Sequence, residues 1–385
     1  MLKLDFEIIL TCGNMKSHMR NLLVPIICSV FLLINYSEKC EAMPILIHES
    51  QSPDKDTKKV IVKMMEQCCG SVSVRAAYMQ EENLPHYASR LKTARTGEAF
   101  CGQPFYKPIF STEDRARNRI SNGIEARRHS HPWIALLIIK EANLFAQCGG
   151  SLIHWKHENA SALILTAAHC VIDRLRCRER EAAWEKVNNS SFERPEGCPL
   201  ADAGSVTAYL GMHDLGRLTS VMKKLHATAI RAAKFDNTKR TDDIALIKLE
   251  KEVTYSVATQ GICLPAENED LPPPEIPCLV AGWGRLRDGS NAHKLQQFQT
   301  YIIDGEIRNP YFRKDLMICT GHRKKHTGVR KGDSGGPLVC LRNNTFVVYG
   351  VVSFAFRESC TDKQAFTKLT QYLPWLNTAI SQLNG

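Results

Sequence analysis

Near its start the chain carries one unbroken apolar block, Leu22 to Ile34 (LLVPIICSVFLLI). The pattern then turns polar. From about Met43 to Arg119 charged residues dominate, with runs such as Lys55-Asp-Thr-Lys-Lys59 and Arg115-Ala-Arg-Asn-Arg119. The only periodicity there is a short helical possibility near Val60 to Glu66, so this stretch reads as a linker or pro-region and not as a packed domain. From Ile120 onward the texture changes again. Short apolar and β-branched runs recur at Trp133–Ile139, Ala162–Leu165, Ile244–Leu249, Cys278–Ala281 and Thr345–Phe354, separated by Gly, Pro and Asn clusters. That spacing predicts an all-β barrel or sandwich. The end switches period: Tyr372, Leu373, Leu376, Ile380 and Leu383 fall at helical spacing, with Pro374 expected in a first turn.

The apolar block sits behind Lys16, His18 and Arg20 and ahead of the polar SEKCEA segment. This is the order of a secretory signal peptide, with cleavage expected near Ala42. A stable membrane span needs about 20 apolar residues, and the block is shorter. Residues 1–14 precede Met15, so Met15 and Met19 are alternative starts. The division expected is 1–42 signal peptide and N-terminal extension, 43–119 pro-region, and 120–385 the folded domain. Secretion to the extracellular space gives meaning to the glycan acceptor sites at Asn159, Asn188, Asn189 and Asn343.

Composition narrows the class. The chain has 385 residues, 44% hydrophobic and 23% charged, which excludes wholesale disorder and collagen-like repeats. The formal charge of +10 is mild over this length, and no nucleic-acid motif accompanies it, so no nucleic-acid partner is expected. Fifteen cysteines fit a secreted domain with its own core that is also stapled by disulfides.

The chemistry concentrates in three places. Gly332-Asp-Ser-Gly-Gly-Pro337 flanks a serine with glycines, which permits a tight turn that exposes the hydroxyl and leaves backbone N–H groups free to converge on one point. A serine hydroxyl needs a base to become a nucleophile. Thr166-Ala-Ala-His-Cys170 supplies His169 at the end of an apolar run. The base needs an acid to fix its tautomer, and Thr241-Asp-Asp-Ile-Ala-Leu-Ile-Lys-Leu249 offers Asp242 or Asp243 just ahead of a buried-strand pattern.

With these motifs in the order His, Asp, Ser, the sequence resembles the trypsin/chymotrypsin family of serine peptidases from Ile120 to about Leu383. The resemblance rests also on Arg119-Ile-Ser-Asn-Gly123, Cys148-Gly-Gly-Ser-Leu152, Ile262-Cys-Leu-Pro265, Ala281-Gly-Trp-Gly284, Met317-Ile-Cys-Thr-Gly321 and Val351-Val-Ser-Phe354. It implies an all-β fold of two antiparallel six-stranded β-barrels with a C-terminal α-helix. It implies a serine endopeptidase in which Ser334 attacks, His169 carries the proton and Asp243 holds His169, with the Gly332 and Ser334 N–H groups as oxyanion hole. Ser353 would support the acid and begin the segment that pairs with substrate backbone. Cleavage after Arg119 would free an ammonium at Ile120 to pair with Asp333 and order the oxyanion loop. The partners implied are protein or peptide substrates, an activating protease and macromolecular inhibitors. No cofactor is implied, and no metal site, since no CxxC pair or HExxH occurs.

The same resemblance implies the disulfides Cys148–Cys170, Cys278–Cys340 and Cys101–Cys263, the last tethering the upstream segment after cleavage. Cys177 and Cys198 lie in a segment longer than the family's and are expected to close it on itself. Cys319 and Cys360 lack their family partners and are candidates to pair with each other; Cys68 and Cys69 have no assignable partner. The specificity pocket departs from the family. Gly328 stands where a trypsin-like pocket has Asp, and Ala355 and Gln364 stand where its walls usually have Gly. The expectation is a shallow pocket for small residues, or one partly blocked. A basic cluster, His322-Arg-Lys-Lys-His326, reads as a solvated loop or as a site for acidic or sulfated groups. The altered pocket leaves a second class of function, a non-catalytic homologue that binds a partner through the same cleft.

Overall fold

The computed structural model describes residues 7–10, 43–46, 101–110 and 123–384, apart from 142–143, 157–158, 188–197, 237–238, 287, 306, 308, 322–327 and 356–363. Two compact units divide the chain, Met1–Ser89 and Arg90–Gly385. In the first, β1 (Glu7–Leu10) and β2 (Met43–Leu46) pair antiparallel, with Glu7 opposite Leu46. The signal-peptide block and the helical possibility at 60–66 lie outside the described residues.

The second unit holds two antiparallel barrels. After the short β3 (Ile124–Glu125), the strands β4 (Ile134–Glu141), β5 (Leu144–Leu152), β6 (Ala160–Thr166), β7 (Val206–Leu210), β8 (Lys223–Ala232) and β9 (Ala245–Thr254) close into a ring in the order β4-β5-β6-β9-β8-β7. The period-2 rule sets which side chains enter this barrel. In β7, Val206, Ala208 and Leu210 are buried and the residues between are not. In β8, Leu225 and Ala227 point inward, and a bulge between Ala227 and Ala229 then brings Ile230 in instead of Ala229.

The second barrel consists of β10 (Cys278–Gly282), β11 (Gln296–Ile302), β12 (Met317–Gly321), β13 (Pro337–Arg342), β14 (Thr345–Ala355) and β15 (Gln364–Lys368). Its order is β10-β13-β14-β15-β12-β11, the β10–β11 pairing closes the ring, and β3 adds to the outside of β11. Val280, Phe298, Ile318, Leu338, Val347, Val352 and Phe366 fill it. Cys278 and Cys340 sit opposite each other in β10–β13 and are disulfide-bonded.

Strand β4 explains how the barrels meet. It reads as a nearly continuous apolar run because both of its faces are buried. Ala135, Leu137 and Ile139 are fully buried, while Ile134 and Leu136 pack on Ala281, Trp283 and Leu295 of the second barrel.

Among the described residues, three α-helices accompany the barrels: α1 (Ala168–Val171), α2 (Arg174–Val187) and α3 (Leu369–Asn384). In α3 the buried set Leu369, Tyr372, Leu373, Leu376, Ala379, Ile380 and Leu383 forms one stripe. Lys248 Nζ of β9 donates to the Leu383 carbonyl at 2.5 Å and pins the helix end to the first barrel. Pro374 corrects the sequence reading. It lies inside the helix beyond the first turn, because Leu369 to Gln371 already continue from β15 as helix. Its missing N–H leaves the carbonyl one turn back without its usual donor.

Residues 101–110 run along the second barrel. Cys101 is bonded to Cys263, Phe346 N donates to the Gly102 carbonyl at 2.8 Å, and Gln297 Nε2 donates to the Ile109 carbonyl at 2.5 Å.

Candidate active site

His169 stands on α1, the single turn that ends β6. Its neighbour Cys170 is bonded to Cys148 of β5, which fixes the turn to the barrel wall. Asp243 precedes β9 and is 2% exposed. Its Oδ1 accepts the His169 backbone N–H at 2.9 Å and its Oδ2 meets His169 Nδ1 at 2.8 Å. The Ser353 hydroxyl donates to the same Oδ2. Burial pushes the Asp243 pKa up, but the facing His169 charge and these hydrogen bonds outweigh it and hold the carboxyl below its ordinary value. Asp242 has a different task. Its φ of 60° turns the chain, and its Oδ1 accepts the Tyr372 hydroxyl of α3 at 3.1 Å. Asp243, not Asp242, is the acid that meets the imidazole.

Ser334 sits in the turn that enters β13. Gly332 at φ 103° and Gly335 at φ 79° take backbone conformations that a side chain would strain. A Cβ on Gly335 would also lie 2.2 Å from Thr166 Oγ1. The turn is held from outside: Gly149 N donates to the Ser334 carbonyl at 2.7 Å, and Gly335 N donates to Val352 O at 2.8 Å. Among the described residues, the N–H groups of Gly332 and Ser334 donate to no protein acceptor. Cys170 Sγ lies 3.9 Å from His169 Nε2 and 3.6 Å from the Ser334 carbonyl, so the histidine and the serine turn abut the same sulfur. Among the described residues no hydrogen bond joins the Ser334 hydroxyl to His169. Such bonds are often long in unliganded sites and tighten with substrate.

Asp333 turns away from the serine. Its Oδ1 accepts Gly284 N at 2.8 Å and its Oδ2 accepts Arg330 N at 2.9 Å. The residue keeps some exposure, yet its carboxyl is enclosed against Gly282 and Gly284, where a Cβ would come within 2.3 Å of its atoms. Enclosure raises its pKa to about 6, because the two backbone donors and the Arg330 charge do not offset the lost hydration. Gly282, Gly284, Phe298, Gly328 and Asp333 together line a small cavity.

The pocket positions come together at the edge of β14 and β15. Ala355 and Gln364 are paired across that ladder. Gln364 is 1% exposed, and its amide lies over Gly328, where a Cβ would be 2.7 Å from Nε2. Thr320 Oγ1 donates to Gln364 Oε1 at 3.4 Å. The space above Gly328 is therefore taken by an amide.

The Trypsin family profile matches residues 120–194 and 196–376. Chymotrypsin-C of Bos taurus is 34% identical over 288 residues, 72% of this chain and 92% of that protein. The chain belongs to the Trypsin family. Chymase of Canis lupus familiaris is 29% identical over 68% of this chain and 90% of its own length. A solved structure titled "Structure of GrC" superposes with a TM-score of 0.52 at 23% identity, covering 67% of this chain and 98% of its own. That likeness concerns the fold.

A cavity of about 320 Å³ is lined by His169, Phe235, Ser353 and the arginines 174, 178 and 240. Sequence reading missed these arginines. Asp173 just before the Arg-rich run is the signal that could have found α2, since its Oδ1 caps the helix by accepting Arg176 N at 2.9 Å. Cys177 and Cys198 are disulfide-bonded and fasten this segment. Cys319 is buried in β12. Cys148, His169 and Cys170 bring three ligand-type atoms within 4.8 Å of one another, but both sulfurs belong to one disulfide and offer no thiolate. Arg119, Ile120, Cys68, Cys69, Cys360 and the cluster His322 to His326 lie outside the described residues.

Proposed function

We propose that the chain is a secreted serine endopeptidase, made as a zymogen and activated by cleavage after Arg119. Residues 1–42 are its signal peptide and extension, 43–119 its pro-region and 120–385 its peptidase domain. The observation that carries the reading is the buried Asp243 carboxylate, which grips His169 by two hydrogen bonds beside a serine turn with two uncommitted N–H groups. A buried carboxylate in that grip fixes the tautomer that presents Nε2 as the base and stabilises the imidazolium that forms.

In the reaction, Ser334 Oγ adds to the scissile carbonyl while His169 Nε2 takes its proton. The oxyanion is held by the N–H groups of Gly332 and Ser334, each worth about 10²–10³ in turnover in such sites. His169 then protonates the departing amine, and water reverses the steps to release the acyl group. Substrate runs along Ser353 to Ala355. The amide of Gln364 over Gly328 restricts the scissile residue to small side chains. An ammonium released at Ile120 enters the cavity beside Asp333 and replaces the missing countercharge.

The test is a labelled fluorophosphonate. Full-length chain cut after Arg119 should label at Ser334, the uncut chain far more slowly, and Ser334→Ala not at all. Correctly cut, folded protein that stays unlabelled overturns the endopeptidase reading.

A further inference from the structure

The cavity beside His169 has three arginines in its wall, Arg174, Arg178 and Arg240. Helix α2 begins there, and Arg174 and Arg178 stand four residues apart on its cleft-facing side, with Cys177 between them fastened to Cys198. Like charges at that spacing repel, a cost that an anion in the cavity would relieve. Arg240 comes from the loop before Asp243 and completes the wall, its guanidinium 5.3 Å from the centre of the Phe354 ring.

Few carboxylates answer these charges. Arg174 Nε lies 3.7 Å from Glu141 Oε1. Asp173 is taken by Arg176 at 2.6 Å, Asp236 by Lys239 at 3.4 Å, and Asp243 by His169 and Ser353. Among the described residues Arg178 and Arg240 join no ion pair. The cavity volume of about 320 Å³ leaves room for a carboxylate side chain and its water.

We propose that this cavity is an acid-selecting subsite: it takes an Asp or Glu side chain of the substrate, upstream of the scissile bond, on Arg178 and Arg240 with Arg174 in support. The inference rests on the endopeptidase reading, which lays an extended substrate along Ser353 to Ala355. Alternate side chains of an extended strand point to opposite sides. The scissile residue faces Gly328 and Gln364. The second and fourth residues upstream therefore face His169, Phe235 and Arg240. With the primary pocket filled by an amide, recognition shifts to these positions, and guanidinium forks suit a carboxylate bidentately.

Two fluorescent peptides of equal charge separate this subsite from the general attraction of a basic protein. Both have alanine as the scissile residue; one carries Asp at the second and fourth upstream positions, the other at the third and fifth. Binding is read by anisotropy on the full-length Ser334→Ala chain cut after Arg119, so no turnover is needed. The first peptide should bind about tenfold more tightly, and the gap should shrink as salt rises. Arg178→Ala and Arg240→Ala, both exposed positions, should each erase most of that gap, while Arg240→Lys keeps part of it. Equal affinity for the two peptides, or a gap untouched by the arginine changes, overturns the inference. Fluorophosphonate labelling of the wild-type chain tests the endopeptidase reading separately, so a failure of the subsite is distinguished from a failure of that reading.

Discussion

One carboxylate decides what His169 can do. Asp243 holds the ring by Nδ1 and the backbone by its other oxygen, so Asp243→Asn would keep the shape but favour the wrong tautomer. Turnover of a peptide substrate should fall on the order of 10⁴-fold, with the denaturation midpoint little changed. A loss under tenfold would show that Asp243 is only a packing residue. Gln364 makes a second prediction. Gln364→Gly should uncover Gly328 and raise kcat/KM for peptides with aromatic scissile residues at least tenfold relative to those with alanine, measured in competition. These two residues also mark what can be read from a string of letters. His169 and Asp243 were legible because short fixed segments surround them, and those segments exist to hold the groups in place. Gln364 was legible as a position, but not the fold of its amide across Gly328, which depends on the β14–β15 pairing and on Thr320.

Helix α2 shows what local sequence hides. Its residues RLRCREREAAWEKV present charge on every side, so no apolar stripe announces a helix. It stands because Asp173 caps it and Cys177 anchors it to Cys198. Replacing both cysteines by serine opens a loop of sequence separation 21 and should cost about 3 kcal/mol by loop entropy, read by urea denaturation. An unchanged midpoint would mean the segment is held by other contacts. The strands were easier. β4, β6, β9, β10 and β14 fall where apolar runs predicted them, because burial on one or both faces writes itself into the sequence. Pro374 misled because its preference for helix starts lost to the continuous path from β15 into α3.

The second barrel imposes an electrostatic cost at Asp333. A carboxyl with its pKa raised to about 6 favours folding at low pH: its contribution is fully present below the ordinary value of 3.8 and is lost as pH rises through about 6. The loss is no more than about 3 kcal/mol, and smaller to the extent that solvent reaches the residue. His131 and His129, held near 4 by burial, act in the opposite sense, since they favour the folded state above 6.5 and cease to as pH falls. Comparing wild type with Asp333→Asn cancels the histidines. Between pH 4 and pH 7 the uncut wild type should lose stability relative to the variant, measured by denaturation at each pH. In the cut chain the order should reverse, with Asp333→Asn the weaker protein. Parallel pH profiles for wild type and variant would refute the assignment. A last consequence follows from the Cys101–Cys263 bond. A single nick between residues 110 and 123 changes the connectivity of the molecule without releasing its front piece, so sedimentation and native mass stay constant while reducing electrophoresis resolves two bands. Whatever the leading piece carries travels with the barrels for the lifetime of that sulfur–sulfur link.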